Sequence, residues 1–352
     1  MRVRNSFLRS GLTVAAVVGV VLAGIIARGI QANGVFSSVT PGFSGTCQSL
    51  AVPGVADIEI DTADHLALLA VRDARHPGPR DGIYALGLSG SPALTRLAGT
   101  PADFHPGGIA TYRTPGGLLL MAVNHRSGGR SSIDTFLLTR KDGVLSLAAQ
   151  GAIEGGLLRD PQDIAIVGQN NFYVSNGITG RNALMRALQR YGIMPGGDIV
   201  YFNGMSFREV VNGISGGSGL AVTADGGHVI AAALTGRSLV SLSRESFTGN
   251  LSQAGQLALP SGPDRITVEG NTLWVAGHAN LLSWRGFGQD PAARISSQIF
   301  RVQLAGGVPQ SAEQVYGNDG DEIAGAAVAA AAGERLLIGS PLDGKLLDCT
   351  MK

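Results

Sequence analysis

The sequence has little charge, few aromatic residues and only two cysteines. Of its 352 residues, 15% are charged and 5% are aromatic, whereas 44% are apolar and 52 are glycine. Disordered chains are rich in charge and poor in apolar residues, so this composition excludes intrinsic disorder. Lysine plus arginine (27) and aspartate plus glutamate (26) leave a net charge of +1, and no basic block lies beyond the N-terminus. A nucleic-acid partner is excluded because it would need a basic surface.

One long uncharged run lies near the N-terminus. It spans residues 11–27 and is followed by Arg28. Three arginines precede it: Arg2, Arg4 and Arg9. Its length lies between the apolar core of a signal peptide and a membrane-spanning helix. Because no A-x-A cleavage site follows, we expect an uncleaved signal anchor over residues 1–30, a cleaved signal peptide being the alternative. The arginines would keep the N-terminus in the cytoplasm, which places the remaining chain on the periplasmic or extracellular face.

The two cysteines stand near opposite ends of the exported part. Cys47 follows the apolar run, and Cys349 lies three residues from the C-terminus. In an exported chain this placement predicts a disulfide that joins the chain ends, two unrelated buried thiols being the alternative. The predicted organisation is therefore a linker over residues 31–46 and a single domain over residues 47–352.

One pattern recurs six times along the chain. Each copy has two small or polar residues, a branched aliphatic residue, a short alternating strand, a turn and a second apolar strand. The aliphatic residues are 51, 55, 56, 46 and 62 residues apart, which leaves room for four antiparallel strands per copy. They are Ile58, Ile109, Ile164, Leu220, Ile266 and Val328. Radial repetition of four-stranded units makes a β-propeller, so the sequence predicts an all-β fold, a six-bladed β-propeller, rather than a sandwich.

The repeat also predicts where a functional site lies. Equivalent positions in the blades lie on a circle around the axis, so the two residues before each aliphatic residue should meet at one end of the channel. Three copies carry an aspartate there: Asp57, Asp163 and Asp264. Gathered carboxylates repel one another unless a cation neutralises them, and calcium is therefore the first hypothesis. The alternative is that Asp57 and Asp163 cap turns or bind Arg265.

A stretch over residues 179–195 has apolar residues at helical spacing. These are Leu184, Met185, Leu188 and Tyr191, and the other face carries Arg181, Arg186 and Arg190. We expect a short amphipathic helix inserted into the third copy, which either packs on the rim of the propeller or contacts an anionic membrane surface.

The order and spacing of several segments resemble the paraoxonase/arylesterase family. They include GVADIEI (54–60), FHPGGIAT (104–111), DPQDIAIVGQNNFYVSN (160–176), DRITVEGNTLWVAGH (264–278) and RLLIGSPLDGKLLDC (335–349). The resemblance covers most of the chain between the two cysteines. It implies a calcium-dependent six-bladed propeller that hydrolyses lactones and aryl esters and has an uncleaved hydrophobic N-terminus.

The resemblance implies a partly altered set of metal ligands. Asp57 and Asp163 match family residues that hold a buried structural calcium. The family's catalytic-calcium ligands fall on Ala56, Gln162, Ser218, Asp264 and Arg265, of which only Asp264 keeps its type. We therefore expect one structural calcium and a degenerate catalytic metal site, in which Arg265 fills the position of the ion and pairs with Asp264.

The resemblance also implies residues that handle protons. His125 matches one member of a histidine pair in the family, and Gly107 takes the place of the other. The remaining histidines lack metal-ligand spacing, and we expect most of them on the surface or in turns. They are His65, His76, His105, His228 and His278.

Two functions remain open at this point. The first is a membrane-tethered hydrolase of lactones or aryl esters, in which His125, Asp264 and Arg265 are catalytic. Gln162, Ser218 and Gly107 would line its pocket. The second is a non-catalytic propeller that binds a small anionic ligand or a partner protein at the same mouth.

Overall fold

The computed structural model describes residues 2–90, 93–287, 290 and 294–352, with side chains from residue 13 onward. The side chains of Arg2, Arg4 and Arg9 therefore lie outside the described residues. Strands account for 54% of the chain and helices for 12%, which confirms the predicted all-β class.

The strands pair into six antiparallel sheets within the described residues, and these are the blades of a six-bladed propeller. Two strands precede the first complete blade: β1 (Gly42–Phe43) and β2 (Gly45–Ala51). Blade 1 contains β3 (Val55–Asp61), β4 (Leu66–Val71), β5 (Gly82–Gly87) and β6 (Leu94–Arg96). Blade 2 contains β7 (Pro106–Thr114), β8 (Gly117–Arg126), β9 (Arg130–Lys141) and β10 (Val144–Ile153). Blade 3 contains β11 (Pro161–Gly168), β12 (Asn171–Asn176), β13 (Gly197–Phe202) and β14 (Phe207–Ile214).

The second half of the ring follows the same plan. Blade 4 contains β15 (Gly217–Val222), β16 (His228–Ala233), β17 (Ser238–Arg244) and β18 (Leu251–Ala258). Blade 5 contains β19 (Gly262–Glu269), β20 (Thr272–His278), β21 (Ser297–Ala305) and β22 (Val308–Asn318), to which β1 adds a fifth strand. Blade 6 contains β23 (Val328–Ala332), β24 (Arg335–Gly339) and β25 (Lys345–Met351), and β2 completes it.

The two ends of the domain are joined within blade 6. β2 pairs antiparallel with β25, and Cys47 stands opposite Cys349 in the register. These two residues form the predicted disulfide, across a sequence separation of 302 residues. The sheet pairing begins at Gly42, so the predicted linker over residues 31–46 already contains β1 and the start of β2.

The aliphatic residues that defined the repeat lie in the hydrophobic core. Their exposed fraction is 4% or less: Ile58, Ile109, Ile164, Leu220, Ile266 and Val328. Each belongs to the innermost strand of its blade and packs against a neighbouring blade. Burial of such a side chain contributes roughly 1.5–3 kcal/mol. The core therefore fixes the angular position of each inner strand, and with it the residues that reach the axis.

Three α-helices lie outside the blades in the described part of the chain. They are α1 (Arg2–Asn33), α2 (Ala183–Arg190) and α3 (Leu281–Phe287). The segment Thr13–Asn33 of α1 is long and apolar enough to cross a membrane, and its most apolar stretch is not covered by the propeller. α2 confirms the helix inserted near residues 179–195. α3 was not predicted, because seven residues are too few to show a helical period.

The apolar face of α2 packs inward only in part, since Met185 and Leu188 are half-buried. Leu184 is 69% exposed, whereas the polar Gln189 is buried. The Oε1 atom of Gln189 accepts a hydrogen bond from the backbone N–H of Gly180 at 2.7 Å. The helix is therefore held on the rim by a polar contact as well as by Met185 and Leu188, whereas Leu184 and Tyr191 are left at the surface.

Candidate functional site

A cavity of about 690 Å³ opens at one end of the central channel. Every blade contributes at least one residue to its wall: Ala56, Gly107, Gln162, Ser218, Arg265 and Ala327. All six predicted catalytic and pocket residues line it: His125, Asp264, Arg265, Gln162, Ser218 and Gly107. The geometry thus brings together residues that are more than 150 positions apart in the sequence.

Arg265 forms the floor of this cavity and is only 7% exposed. Its Nε atom lies 3.4 Å from the carbonyl oxygen of Ala56, and its Nη1 atom has no hydrogen-bond partner. Burial opposes the charged guanidinium, but the carboxylates of Asp163, Asp264 and Asp57 outweigh it and raise the Arg265 pKa. Arg265 is therefore a permanent cation at the inner end of the channel.

The predicted pair between Arg265 and Asp264 is wrong. The ion-pair partner of Asp264 within the described residues is His278, whose Nε2 atom lies 3.0 Å from Oδ2. Ser218 donates its hydroxyl proton to Oδ1 of the same carboxylate at 2.5 Å. Both carboxylate oxygens are thus occupied, which leaves Arg265 nearby as a charge but not as a bonded partner.

The Asp264 carboxyl group is held in its ionised form. Burial alone would raise its pKa, but the His278 hydrogen bond and the charge of Arg265 together lower it below the usual value. His278 itself is 1% exposed and stacks on Trp284 with ring centroids 4.4 Å apart. The expectation that most of the remaining histidines lie at the surface or in turns therefore misses this one.

The repeat held a signal for His278. His278 is the last residue of β20, and Asn176 is the last residue of the equivalent strand β12. Asn176 is also buried beside an aspartate, because its Nδ2 atom donates to Asp198 Oδ1 at 2.6 Å. The ends of the second strands thus form another set of equivalent positions that face the channel end. The prediction from the repeat used only the first strand of each copy and therefore did not include the ends of the second strands.

Asp57 and Asp163 lie deeper in the channel, and the two side chains make equivalent hydrogen bonds. Each accepts a hydrogen bond from the next backbone N–H and one from the neighbouring blade. Asp57 Oδ2 accepts from Ile109 N at 2.7 Å, and Asp163 Oδ2 accepts from Leu220 N at 2.8 Å. A Cβ atom at Gly108 would lie 2.2 Å from Asp163 Oδ1. The two carboxylates therefore converge on the peptide between residues 108 and 109.

The charge of the two deep carboxylates is only partly offset by Arg265 and the backbone N–H groups. Burial raises the pKa of Asp57 to about 6, although Arg265 and two backbone N–H groups act against this. Burial, together with the charge of Asp57, raises the pKa of Asp163 well above its usual value. Carboxylate oxygens of this kind are suitable ligands for calcium.

The floor of the cavity, above Asp57 and Asp163, is the upper of the two expected metal sites, and it does not suit a metal ion. The guanidinium of Arg265 occupies it, Ala56 offers no side-chain donor, and Asp264 is already bonded by Ser218 and His278. Among the described residues no group of three or more His, Cys, Asp or Glu side chains could hold a metal together. The deep pair thus fits a cation by the chemistry of its donors, with the remaining ligands to come from backbone carbonyls and water, whereas the upper site does not.

His125 is uncharged in this environment. Burial, followed by the positive charges of Arg72 and Arg265, lowers its pKa to about 3. A Cβ atom at Gly107 would lie 2.7 Å from His125 Nε2, so the imidazole packs directly on this glycine. With its pKa lowered this far, the His125 imidazole is a weak base.

The rim of the cavity is built by the helices. Arg190 is the last residue of α2 and Tyr191 follows it, whereas Trp284 and Arg285 belong to α3. The C-terminal end of α1 is bonded to the same rim, because Asn33 Nδ2 donates to Tyr191 O at 2.9 Å. The apolar helix therefore leaves the propeller at the mouth and not at the opposite end.

Comparison with known proteins gives a consistent result. The model of a family described as Arylesterase matches residues 18–351. Human serum paraoxonase/arylesterase 1 is 23% identical over 318 residues, which cover 90% of this chain and 85% of that protein. Chicken serum paraoxonase/arylesterase 2 is 24% identical over 240 residues, and the match covers 68% of this chain and 66% of that protein, just under two thirds of its length.

A solved structure supports the fold. A gluconolactonase from Xanthomonas campestris superposes with a TM-score of 0.52 and 13% identity, over 90% of this chain and 94% of that chain. At this level of identity the similarity concerns the architecture alone.

Proposed function

The chain belongs to the arylesterase family, and from this premise we propose that it hydrolyses esters or lactones in its central cavity. The observation that carries the proposal is the buried guanidinium of Arg265, whose Nη1 atom lacks a partner at the floor of the cavity. A fixed donor of this kind stabilises the negative charge that develops on a carbonyl oxygen during acyl transfer.

The roles of the other residues follow from their contacts. Arg265 polarises the carbonyl, and Asp264 keeps the charge of Arg265 in place without bonding to it. Ser218 and His278 hold the Asp264 carboxylate in one orientation. His125, which is neutral, accepts a proton from the attacking water. Because a base with so low a pKa is weak, we expect activated substrates: aryl esters, whose phenolate leaves without protonation, and strained lactones, whose alkoxide receives the proton that His125 has taken from the water.

An ester and lactone panel tests this activity. Phenyl acetate and γ- and δ-lactones should be turned over, and turnover should persist in EDTA while near-ultraviolet circular dichroism shows the native fold. Arg265→Met should lower kcat/KM by about 10²-fold or more, as is usual for loss of an oxyanion donor, and Arg265→Lys should lower it less. The exposed Arg80→Met serves as the control, since Arg80 does not line the cavity. Absence of turnover in the folded protein rejects the proposal.

The alternative is a non-catalytic propeller that binds a small anionic ligand or a partner protein at this mouth. It is favoured by Arg265 and Ala56, the two residues that make the upper site unsuitable for a metal ion, and by the low basicity of His125. A folded protein that binds a carboxylate but turns over no ester or lactone would establish this function in place of the first.

One calcium ion is proposed at Asp57 and Asp163, with a structural role. It would neutralise the two carboxylates and hold the inner strands of blades 1, 2 and 3 together. Isothermal titration of the chelator-treated protein should show a single site, which Asp163→Asn removes and the exposed Glu313→Gln keeps. Two sites, or none, would contradict this assignment.

Membrane tethering is proposed for α1. The helix is apolar and uncovered, and near its docked end Leu184 and Leu282 are 69% and 42% exposed. These features suit a protein anchored on the periplasmic or extracellular side with its mouth toward the bilayer. The chain should stay with membranes after alkaline carbonate extraction, and replacing Val17 and Val21 by Arg should release it. Release of the unaltered chain would contradict the proposal.

A further inference from the structure

Several buried polar atoms around the cavity have no hydrogen-bond partner. Among them are three nitrogen atoms that can only donate: Arg72 Nε, Arg265 Nη1 and Trp284 Nε1. Buried donors are normally paired, and an unpaired one costs about 1–3 kcal/mol. Two of the three belong to guanidinium groups in the wall of one cavity, and such groups present several N–H donors to a ligand that supplies acceptor atoms.

Arg72 is the donor that the ester reaction leaves unused. It follows β4 directly and lines the cavity beside Ala74. No carboxylate in the described part of the chain lies within 4.0 Å of its guanidinium. The acid that acts on it electrostatically, Asp81, already binds His105 at 2.6 Å and the backbone N–H of Asp73 and of Gly78.

The acids that line the cavity do not bond to Arg72 either. Asp264 is occupied by Ser218 and His278, and Asp160 accepts from the backbone N–H of Ile178 at 2.9 Å. Burial and the charge of Arg265 both act against the charged form of Arg72 and lower its pKa. Guanidinium groups nevertheless stay protonated in proteins, so two like charges face one cavity.

The rim adds positive charge to the approach. Arg190 and Arg285 line the mouth, and Arg285 donates through Nη2 to the Arg190 carbonyl at 2.6 Å. Basic groups around a concave site raise the local concentration of anions. A planar guanidinium fork, moreover, matches a carboxylate better than any other common side chain does.

We propose that Arg72 is the receptor for a carboxylate carried by the substrate in addition to its ester or lactone bond. This rests on the proposed function, in which Arg265 serves the reacting carbonyl. Arg72 binds the second, unreactive group and thereby sets specificity for anionic esters or lactones. It is a binding residue and takes no part in bond making or breaking.

A pair of matched esters tests this role. Phenyl acetate is neutral, and 4-acetoxybenzoate is an aryl acetate that carries a carboxylate. The ratio of their kcat/KM values, anionic over neutral, cancels effects on the common chemistry. Arg72→Met should lower this ratio about tenfold or more, Arg72→Lys should lower it less, and Arg80→Met should leave it unchanged. An unchanged ratio in folded Arg72→Met overturns the proposal.

A binding measurement separates this proposal from the hydrolytic function. If neither ester is turned over, titration calorimetry with 4-hydroxybenzoate gives the decisive readout. Binding that weakens about tenfold in Arg72→Met and not in Arg80→Met upholds the carboxylate receptor while the hydrolase is rejected. No binding of 4-hydroxybenzoate to the folded unaltered chain, or equal binding to the Arg72→Met variant, overturns the receptor. Arg72→Lys provides the comparison if Arg72→Met does not fold.

Discussion

The imidazole of His278 lies 3.0 Å from the carboxylate of Asp264, and both side chains are buried. This contact, and not an ion pair with Arg265, fixes the carboxylate that lines the cavity beside the guanidinium. It leaves the Nη1 atom of Arg265 free of partners. The proposed chemistry depends on that freedom, because an arginine locked by two carboxylate oxygens would have less to offer a carbonyl oxygen.

Removal of the His278 side chain should therefore destabilise the propeller. His278→Leu leaves a buried carboxylate without one partner, and we expect the free energy of unfolding to fall by about 1–3 kcal/mol at pH 7. The exposed His76→Leu is the matched control. Urea denaturation followed by circular dichroism measures both.

The same variant has a defined pH dependence. The folded-state pKa of Asp264 is below its unfolded value, so its stabilising contribution is present above about pH 4 and is lost as the pH falls further. The difference between His278→Leu and the unaltered protein should shrink in this acidic range. A difference that stays constant down to pH 3 would mean that His278 acts only through packing against Trp284.

Gly108 should not tolerate a side chain. A Cβ atom there would lie 2.2 Å from Asp163 Oδ1 and 2.6 Å from the Asp163 Cα, so the inner strands of blades 2 and 3 would have to separate. We expect Gly108→Ala to cost about 1–3 kcal/mol. At Gly116 the nearest atom to a new Cβ is 3.6 Å away, so Gly116→Ala should change stability by less than about 0.5 kcal/mol. Equal midpoints in thermal unfolding for the two variants would contradict the close approach at Gly108.

The ring and the residues at its axis could be predicted because they repeat. Ile58 and its equivalents mark the inner strand of every blade, and the residues just before them in that strand must reach the channel end. The repeat therefore places Asp57, Asp163, Asp264 and Arg265 near one another without any knowledge of side-chain conformation. Closure by the disulfide followed from the position of the cysteines alone.

The pairing within the site could not be predicted in the same way. Which partner Asp264 takes depends on the rotamers of Arg265 and His278, and on a serine that arrives from blade 4. Arg72 follows a second strand and falls outside the column on which the prediction was based. Repeats thus specify which residues meet, whereas hydrogen bonding and burial decide what they do.

The disulfide should account for a substantial part of the stability. Cys47 and Cys349 close a loop across 302 residues of sequence, and loss of the cross-link frees the ends of nearly the whole propeller. The chain-entropy relation gives about 6 kcal/mol as an upper figure for so long a loop. The β2–β25 backbone pairs remain after reduction, so a native but less stable fold is expected. Urea unfolding with and without dithiothreitol measures the change, and the Cys47→Ser, Cys349→Ser double variant should match the reduced protein. Equal midpoints would show that the strand pairing alone closes the ring.

The neutral state of the buried His125 imidazole should make the stability of the protein depend on pH in the acidic range. Its pKa is about 3 in the folded protein, whereas the ordinary value for histidine is 6.5, so between these values the unfolded chain binds a proton that the folded chain does not. Its contribution to stability therefore declines as the pH falls below 6.5, by about 2 kcal/mol at pH 5. His125→Gln should remove this part of the decline, whereas the exposed His76→Gln should not. For the same reason kcat/KM for an aryl ester should show no His125 inflection between pH 5 and 8. An inflection near 6.5 that His125→Gln abolishes would place the imidazole in a more open and more basic environment than the cavity provides, and would restore it as an effective general base.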